Sequence, residues 1–450
     1  MVERGLLNAL VVSRARLWMA ACVVVVAGLL QAIYIVQLQY TNSYLGYQIY
    51  AGSPCQILTS MGMVLVVICI VPHKISRPSD VFLLFYGVIV LMSCAVFSQV
   101  TGALGCGESV ALFVTLLVPV MAVLVLRGVT LRIAPLLSLP PVVVYGGVLM
   151  LLAVAFTYGY SYGGAGGFDW TAMYERRLEG REQFESGSFG AYLLNMATNG
   201  LTPFVAFVGG TRRSTALVAL GVGMGCFSFW LLGLKAPAVM SLLFAVLGYL
   251  MRSGRMQRLP RLVIGAVLGV CALALLERQF FENSLIAEVV VRRAFVVQGA
   301  LQSYYWDVIR RAMESGFDSF MLGWDFSNYQ GVTFFVGSEY LGNPAINANT
   351  NAFLVALAAN GLFGFVVSVL FVGVYFAAMD ALYRSSNNRE VFLVVSLYSL
   401  LLTEQSYTVA FVSSGIGLLT VLVFLIRSSA KRSSRVSRVG MTVPTAPGSQ

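Results

Sequence analysis

Seven arginines gathered at three places along this chain have the side-chain chemistry to hold phosphate groups. A guanidinium is planar, stays charged at physiological pH and can donate two parallel hydrogen bonds to phosphate oxygens. Several guanidiniums that converge in space would therefore suit a phosphate or a pyrophosphate. The three groups are Arg176, Arg177 and Arg181; Arg292 and Arg293; and Arg310 and Arg311.

Local ion pairing is the alternative interpretation of these arginines. Glu288 stands four residues before Arg292, and Asp307 stands three and four residues before the Arg310–Arg311 pair. Side chains at those spacings meet on one face of a helix. Both interpretations stay open from the sequence.

A lysine occupies a tight turn in the segment WLLGLKAPAVM, residues 230–240. Pro237 suits the first turn of the following helix, so Lys235 stands beside a helix N-terminus. A cation there opposes the helix dipole, whereas an anion bound by that cation would also meet free backbone N–H groups. The alternative is a lysine that extends to the membrane interface.

Asparagines and two carboxylates extend the candidate site. Asn347, Asn349 and Asn351 supply donors and acceptors for a sugar, although asparagine at a helix start also serves as a cap. General bases in active sites are commonly histidine or carboxylate. Glu339 is the nearest upstream carboxylate, and Asp325 is the second candidate.

Metal and cofactor chemistry is not indicated. The chain has one histidine, His73, and its seven cysteines show no CxxC pairs or spacing with carboxylates typical of a metal site. Cys55 and Cys106 fall near the ends of apolar runs on the same side, yet we expect no disulfide between them.

Apolar runs must position these residues. The 450 residues are 58% hydrophobic and only 11% charged, with mean hydropathy +0.82. Runs of about 20 apolar residues are long enough to span ~30 Å of hydrocarbon, so the sequence predicts an all-α polytopic membrane protein. About twelve spans are predicted, near 17–38, 56–72, 81–99, 110–126, 136–157, 189–209, 214–232, 237–251, 262–276, 351–377, 391–405 and 409–426.

The distribution of basic residues predicts the orientation. Most of the 29 lysines and arginines fall in one alternate set of loops and in the C-terminal tail, which places both termini in the cytoplasm. The predicted division is nine spans within 1–276 with an outer loop at 158–188, a large outer loop at 277–350, three spans within 351–426, and a disordered tail at 427–450. No folded basic domain is present, so nucleic-acid binding is not expected.

The large outer loop contains a predicted amphipathic helix at 300–315. Its apolar face carries Leu301, Tyr304, Tyr305 and Val308, with polar residues including Gln302, Asp307 and Arg310 opposite. Such a helix would lie on the membrane or cap the bundle.

Taken in order, these segments resemble the Wzy-type polysaccharide repeat-unit polymerases, which form one broad membrane glycosyltransferase group with the O-antigen ligases. RRAFVVQGALQSYYWDVI at 292–309 and MLGWDFSNY at 321–329 resemble stretches of the polymerase large loop. TNAFLVALAANGLFG at 350–364 resembles a pattern shared with the ligases, and Thr350 stands where ligases carry a histidine. YERRLEGREQF at 174–184 is similar to the first arginine-bearing loop, and Arg176 and Gly187 show the Arg-x10-Gly spacing.

The resemblance implies polymerisation of polyprenyl-pyrophosphate-linked repeat units into a surface polysaccharide such as O antigen, at the outer face of a bacterial plasma membrane. The lipid-linked glycan would be the substrate, and a chain-length regulator would be the protein partner; no cofactor is implied. A ligase acting on lipid A-core and a transporter or flippase are the alternatives. The expected catalytic residues are Arg293, Arg176, Lys235 and Glu339, and the expected substrate contacts are Arg177, Arg181, Arg292, Arg310, Tyr305, Asn349 and Asn351.

Overall fold

The computed structural model describes residues 2–49, 52–129, 133, 139–162, 167–168, 187–281 and 284–426. Those residues form helices and connecting loops and contain no β-strand. Three of the helices, α3, α6 and α10, include π-helical stretches. The helices are α1 Val2–Ile33, α2 Pro54–Ile70, α3 Ser79–Phe97, α4 Cys106–Leu126, α5 Pro141–Tyr162, α6 189–212, α7 Thr215–Leu232, α8 Ala236–Arg252, α9 Leu259–Phe281, α10 287–315, α11 Phe317–Leu322, α12 Val332–Leu341, α13 Ala352–Ser386, α14 Glu390–Leu401 and α15 Ile416–Leu425.

Seven helices of the described chain are long and apolar enough to cross a membrane. They are Arg14–Leu38, Ser79–Phe97, Cys106–Leu126, Pro141–Ser161, Thr215–Leu232, Met256–Phe281 and Ala352–Ser386. Many of their apolar side chains face outward, such as Val25, Val125 and Met150, which are at least half exposed. Lipid chains would cover such a surface, so the prediction of an all-α polytopic membrane protein is confirmed at this level.

The helices bring two sets of loops to opposite ends of the bundle. We call one end the basic end; it carries the loops with Lys74, Arg127, Arg213 and Arg255. The other end, the large-loop end, carries α10–α12 and their connections. Helix α9 continues to Phe281, so the large loop begins a few residues later than the predicted boundary at 277.

A disulfide joins the starts of α2 and α4 at the large-loop end. Cys55 and Cys106 are bonded, with their Cα atoms 6.5 Å apart. The expectation that these cysteines stay unpaired was therefore wrong. Each cysteine lies in the first turn of its helix, and the two helices pack side by side, which brings residues 51 positions apart into contact. Sequence spacing alone carries no information on that packing.

Helix α10 packs inside the bundle, whereas the sequence predicted that it would lie on the membrane or cap the bundle. Gln302 lies on the predicted polar face, yet it is fully buried and donates a hydrogen bond of 3.2 Å to the Val90 carbonyl oxygen. That carbonyl belongs to the π-helical stretch of α3, where the normal hydrogen-bond ladder is interrupted. Gly299 allows the close approach, because a Cβ there would collide with Phe97.

Helix α13 is broken near the large-loop end. Gly361 has φ +60° and ψ −163°, a backbone region that only glycine readily adopts. A Cβ on Gly361 would lie 2.5 Å from the Gly323 nitrogen and 2.6 Å from the Met321 carbonyl carbon. The end of α11 therefore fits into the break. Residues 352–359 form a short outer segment, and residues 362–386 continue through the bundle.

Candidate functional site

Lys235 lies in the short connection between α7 and α8. Helix α7 ends at Leu232 because Gly233 adopts the left-handed conformation, with φ +66°. Lys235 then caps α8, whose first turn contains Pro237. The predicted position of this lysine beside a helix N-terminus is confirmed.

Arg293 lies near enough to both Lys235 and Glu404 for its charge to act on each, although the three residues are far apart in the sequence. Arg293 is an exposed residue of the π-helical start of α10. Glu404 lies in the turn after α14, where its backbone nitrogen donates a hydrogen bond of 3.0 Å to the Leu401 carbonyl. No carboxylate of the described chain lies within 4 Å of Arg293. The charge of Arg293 thus acts on a second cation and on one acid, each on a different element at the large-loop end.

Burial and the charge of Arg293 shift the pKa values of both Lys235 and Glu404. Burial lowers the pKa of Lys235, and the positive charge of Arg293 lowers it further. Burial raises the pKa of Glu404, and the charge of Arg293 partly offsets that effect. Glu404 is nevertheless exposed on the molecular surface, so its carboxylate is accessible. An accessible acid with a raised pKa suits proton transfer.

The start of α13 lies next to this turn. The Ala352 nitrogen donates a hydrogen bond of 2.9 Å to the Leu402 carbonyl, two residues before Glu404. Asn351 is the N-cap of α13, and its side-chain oxygen accepts a hydrogen bond of 3.1 Å from the Leu354 nitrogen. Asn351 is fully buried, so the geometry supports a cap and gives no access to a substrate.

Tyr305 supports the loop that carries Asn349. The Tyr305 ring is fully buried, and its hydroxyl donates a hydrogen bond of 3.1 Å to the Ala348 carbonyl. The prediction of a direct substrate contact by Tyr305 is therefore replaced by a role in holding the loop. Asn349 is only partly buried and keeps its place among the candidate contacts.

Arg292 forms a local ion pair, as the alternative interpretation held. Its Nε lies 2.7 Å from a Glu288 carboxylate oxygen. Glu288 also accepts hydrogen bonds from Thr41 and Asn42, at 2.9 Å and 2.7 Å. This network anchors the π-helical stretch to the end of α1 and so fixes the position of Arg293.

Arg310 also makes structural contacts. It pairs with Asp307 at 2.6 Å and with Glu314 at 2.9 Å. Arg311 lies 2.8 Å from the other Asp307 oxygen, and Tyr340 donates a hydrogen bond of 2.7 Å to it. Burial by itself would raise the pKa of Asp307, but these hydrogen bonds and charges outweigh it and lower that pKa. The geometry does not support Arg310 as a substrate contact.

Glu339 lies on the exposed face of α12, where it accepts a hydrogen bond of 2.9 Å from the Tyr329 hydroxyl. No ion pair or hydrogen bond within the described residues links it to Lys235 or Arg293. Asp325 caps its own turn by accepting from the Ser327 nitrogen at 2.8 Å. Glu404 is the carboxylate on which the charge of Arg293 acts, and it was not one of the two predicted bases.

The remaining predicted contacts, Arg176, Arg177 and Arg181, lie outside the described residues. Glu404 was missed as a site residue because the sequence places no motif around it. The available signal was an acid beside otherwise apolar runs, which is unusual within a membrane bundle. The described residues contain no group of three or more His, Cys, Asp or Glu side chains that could hold a metal ion.

Comparison of the chain with protein-family models, with curated proteins and with solved structures finds no match.

Proposed function

We propose that this protein is a membrane glycosyltransferase that polymerises polyprenyl-pyrophosphate-linked oligosaccharide repeat units into a surface polysaccharide. The observation that carries the proposal is that the charge of Arg293 acts on both Lys235 and Glu404 at the large-loop end, although the three residues lie on different elements. The resemblance of residues 174–364 to Wzy-type polymerases supports it independently. Thr350 in place of the ligase histidine disfavours transfer to lipid A-core.

The proposed reaction forms one glycosidic bond and breaks one sugar–phosphate bond. A hydroxyl of the acceptor repeat unit attacks the anomeric carbon of the donor glycan, and the polyprenyl pyrophosphate leaves. Glu404 accepts the proton of the attacking hydroxyl. Lys235 and Arg293 stabilise the negative charge that develops on the pyrophosphate, which fixed cations can do without a metal ion.

The proposed topology has twelve spans, with both termini in the cytoplasm and the large-loop end outside a bacterial plasma membrane. Four shorter apolar helices and the helix 189–212 would complete the set begun by the seven long ones. The basic end would then face the cytoplasm, as the positive-inside rule requires. A chain-length regulator is the proposed protein partner.

Deletion of the gene tests the reaction class. Loss of a polymerase leaves surface lipid capped with one repeat unit on a polysaccharide gel. Uncapped core with accumulated polymer would instead indicate a ligase, and the absence of any outer-face intermediate would indicate a flippase; either result overturns the proposal.

Variants of the cluster test the site. Arg293→Ala and Arg293→Lys should both reduce polymer formation, on the order of 10²-fold for a lost leaving-group contact, because lysine keeps the charge but loses the two-pronged geometry. Arg278→Ala removes an exposed arginine at the same end of the bundle and should leave the polymer ladder unchanged. Wild-type ladders from both Arg293 variants, at normal protein levels, would remove Arg293 from the site.

A further inference from the structure

A cavity of about 630 Å³ lies at the basic end of the bundle and takes no part in the proposed reaction. Four elements form it: the first part of α1, the end of α2 with its following loop, the start of α3 and the end of α4. These elements meet because α1 and α3 begin at this end whereas α2 and α4 finish there. The cavity is therefore on the opposite side of the protein from Lys235 and Arg293.

Cations dominate the polar part of this cavity. Arg16, Lys74 and Arg127 line it, together with His73. Arg261 lies nearby, since its charge acts on the His73 ring. Within the described chain, no carboxylate lies within 4 Å of Arg16 or Lys74. The cavity thus holds an excess of positive charge.

Asp80 is the acid of this cavity, and its oxygens are already engaged. One oxygen accepts three hydrogen bonds, from the Ser76 nitrogen and hydroxyl at 2.8 Å and from the Arg77 nitrogen at 2.9 Å. The other oxygen lies 3.4 Å from Arg127. Asp80 therefore holds the loop through hydrogen bonds and pairs with Arg127. Arg16 and Lys74 remain available to bind another anion.

The rest of the cavity lining is mainly apolar, and it continues onto the outer surface of the helices. Met19, Val23 and Leu83 form the buried wall, and the wall continues to Leu17 and Cys69 on the outer surface of the helices. Leu17 is 67% exposed on a helix that is long and apolar enough to span a membrane. A hydrocarbon chain can enter from that side, with its polar end directed toward the cations.

We propose that this cavity binds an anionic phospholipid, with its phosphate headgroup between Arg16 and Lys74 and an acyl chain along the wall formed by α1 and α2. Charge complementarity selects an anionic headgroup, and the lateral apolar opening selects a lipid rather than a free ion. The inference does not depend on the proposed polymerase activity.

The single histidine of the sequence provides a direct test, because one isotope-labelled ring signal reports on the cavity. Burial lowers the pKa of His73, and the charges of Arg16, Lys74 and Arg261 lower it further, against the opposing effect of Asp80. A bound anion would counteract those cations and raise that pKa. The full chain, purified in a neutral detergent without a histidine tag, is titrated by NMR with dioleoylphosphatidylglycerol, dioleoylphosphatidylcholine or inorganic phosphate.

The expected result is an upward shift of the His73 pKa that saturates at one phosphatidylglycerol per protein. Phosphatidylcholine and inorganic phosphate should produce no such shift. Arg16→Gln combined with Lys74→Gln should weaken phosphatidylglycerol binding roughly 25-fold, since each cation near a membrane surface contributes about fivefold. Arg252→Gln combined with Arg255→Gln removes the same charge elsewhere at the basic end and should leave the binding unchanged.

Two outcomes would overturn the proposal. An equal shift with inorganic phosphate would show a site for free anions instead of a lipid. Equal phosphatidylglycerol binding by the Arg16/Lys74 variant, with its thermal unfolding unchanged, would show that these cations do not form the site.

Discussion

At the scale of single residues, Glu404 is the group whose protonation should control the reaction. We expect Glu404→Gln to reduce the rate by about 10²-fold or more, because the amide keeps the shape but cannot accept the proton. Burial raises the pKa of Glu404 above its ordinary 4.5, so the acid limb of the wild-type rate profile should lie above that value. Initial rates with purified lipid-linked substrate, measured against pH, check both points.

Arg293 provides a second check on the same profile. Its charge lowers the pKa of Glu404, so the residual activity of Arg293→Ala should show an acid limb moved to higher pH. An unchanged limb in this variant, or a full rate for Glu404→Gln, would contradict the assignment of Glu404 as the base.

Thr350 is a buried residue for which a substitution should be harmless. Its side chain is fully buried, and its hydroxyl has no hydrogen-bond partner among the described residues. An unsatisfied buried hydroxyl costs about 1–3 kcal/mol, so Thr350→Val should unfold at the same or a higher temperature and keep its activity. Asn351→Ala is the contrasting variant, because loss of the cap should cost about 1 kcal/mol. Loss of polymer in well-expressed Thr350→Val would instead assign the hydroxyl a role in catalysis.

At the scale of elements, the contact between α11 and the break in α13 should depend on glycine. Gly361→Ala places a Cβ against the Gly323 backbone in a strained conformation, and we expect it to cost roughly 2–4 kcal/mol of unfolding free energy. Gly331→Ala is the matched control: its φ of +106° and ψ of 175° lie in the same glycine-favouring backbone region, but nothing lies within 4 Å of the added carbon. That control should cost less, roughly 1–2 kcal/mol. Thermal unfolding in detergent compares the two, and equal losses would show that the α11 contact adds nothing.

The same elements show what the sequence can and cannot predict. Long apolar runs predict spans because hydrocarbon imposes both length and composition, and the ends of α4 and α7 lie close to their predicted positions. The burial of α10 was not predictable, because the buried side-chain amide of Gln302 donates its hydrogen bond to a carbonyl of α3, 212 residues away in sequence. The role of Glu404 was missed for a similar reason: Lys235, Arg293 and Glu404 come from three segments that are distant in sequence.

At the scale of the whole molecule, the number of cysteines that react with a maleimide tests the disulfide between α2 and α4. The chain has seven cysteines, and five are free in the described structure. Denatured protein treated with a mass-tagged maleimide should therefore gain five tags without reduction and seven after it. Cys55→Ser should gain six tags under both conditions. Seven tags on unreduced wild-type protein would contradict the pairing of Cys55 with Cys106.

The disulfide also bears on orientation. Disulfides persist in oxidising compartments, so the large-loop end should face outward if the bond forms in the cell. A reductant that cannot cross the membrane should then be sufficient to open the bond in spheroplasts. Protection from that reductant would place the large-loop end in the cytoplasm.

The break in α13 has a consequence for hydrophobic matching. Asp380 accepts hydrogen bonds from Ser79 near the basic end, so the apolar part of α13 runs from the break to Met379. Residues 362–379 extend roughly 27 Å at 1.5 Å per residue, slightly less than the ~30 Å of an average bilayer core. The break and the polar Asp380 therefore mark the two ends of the apolar part of α13. If the proposed reaction takes place at the large-loop end, its rate in reconstituted bilayers of increasing acyl length should be highest in thin membranes and fall as the hydrocarbon thickens toward the break.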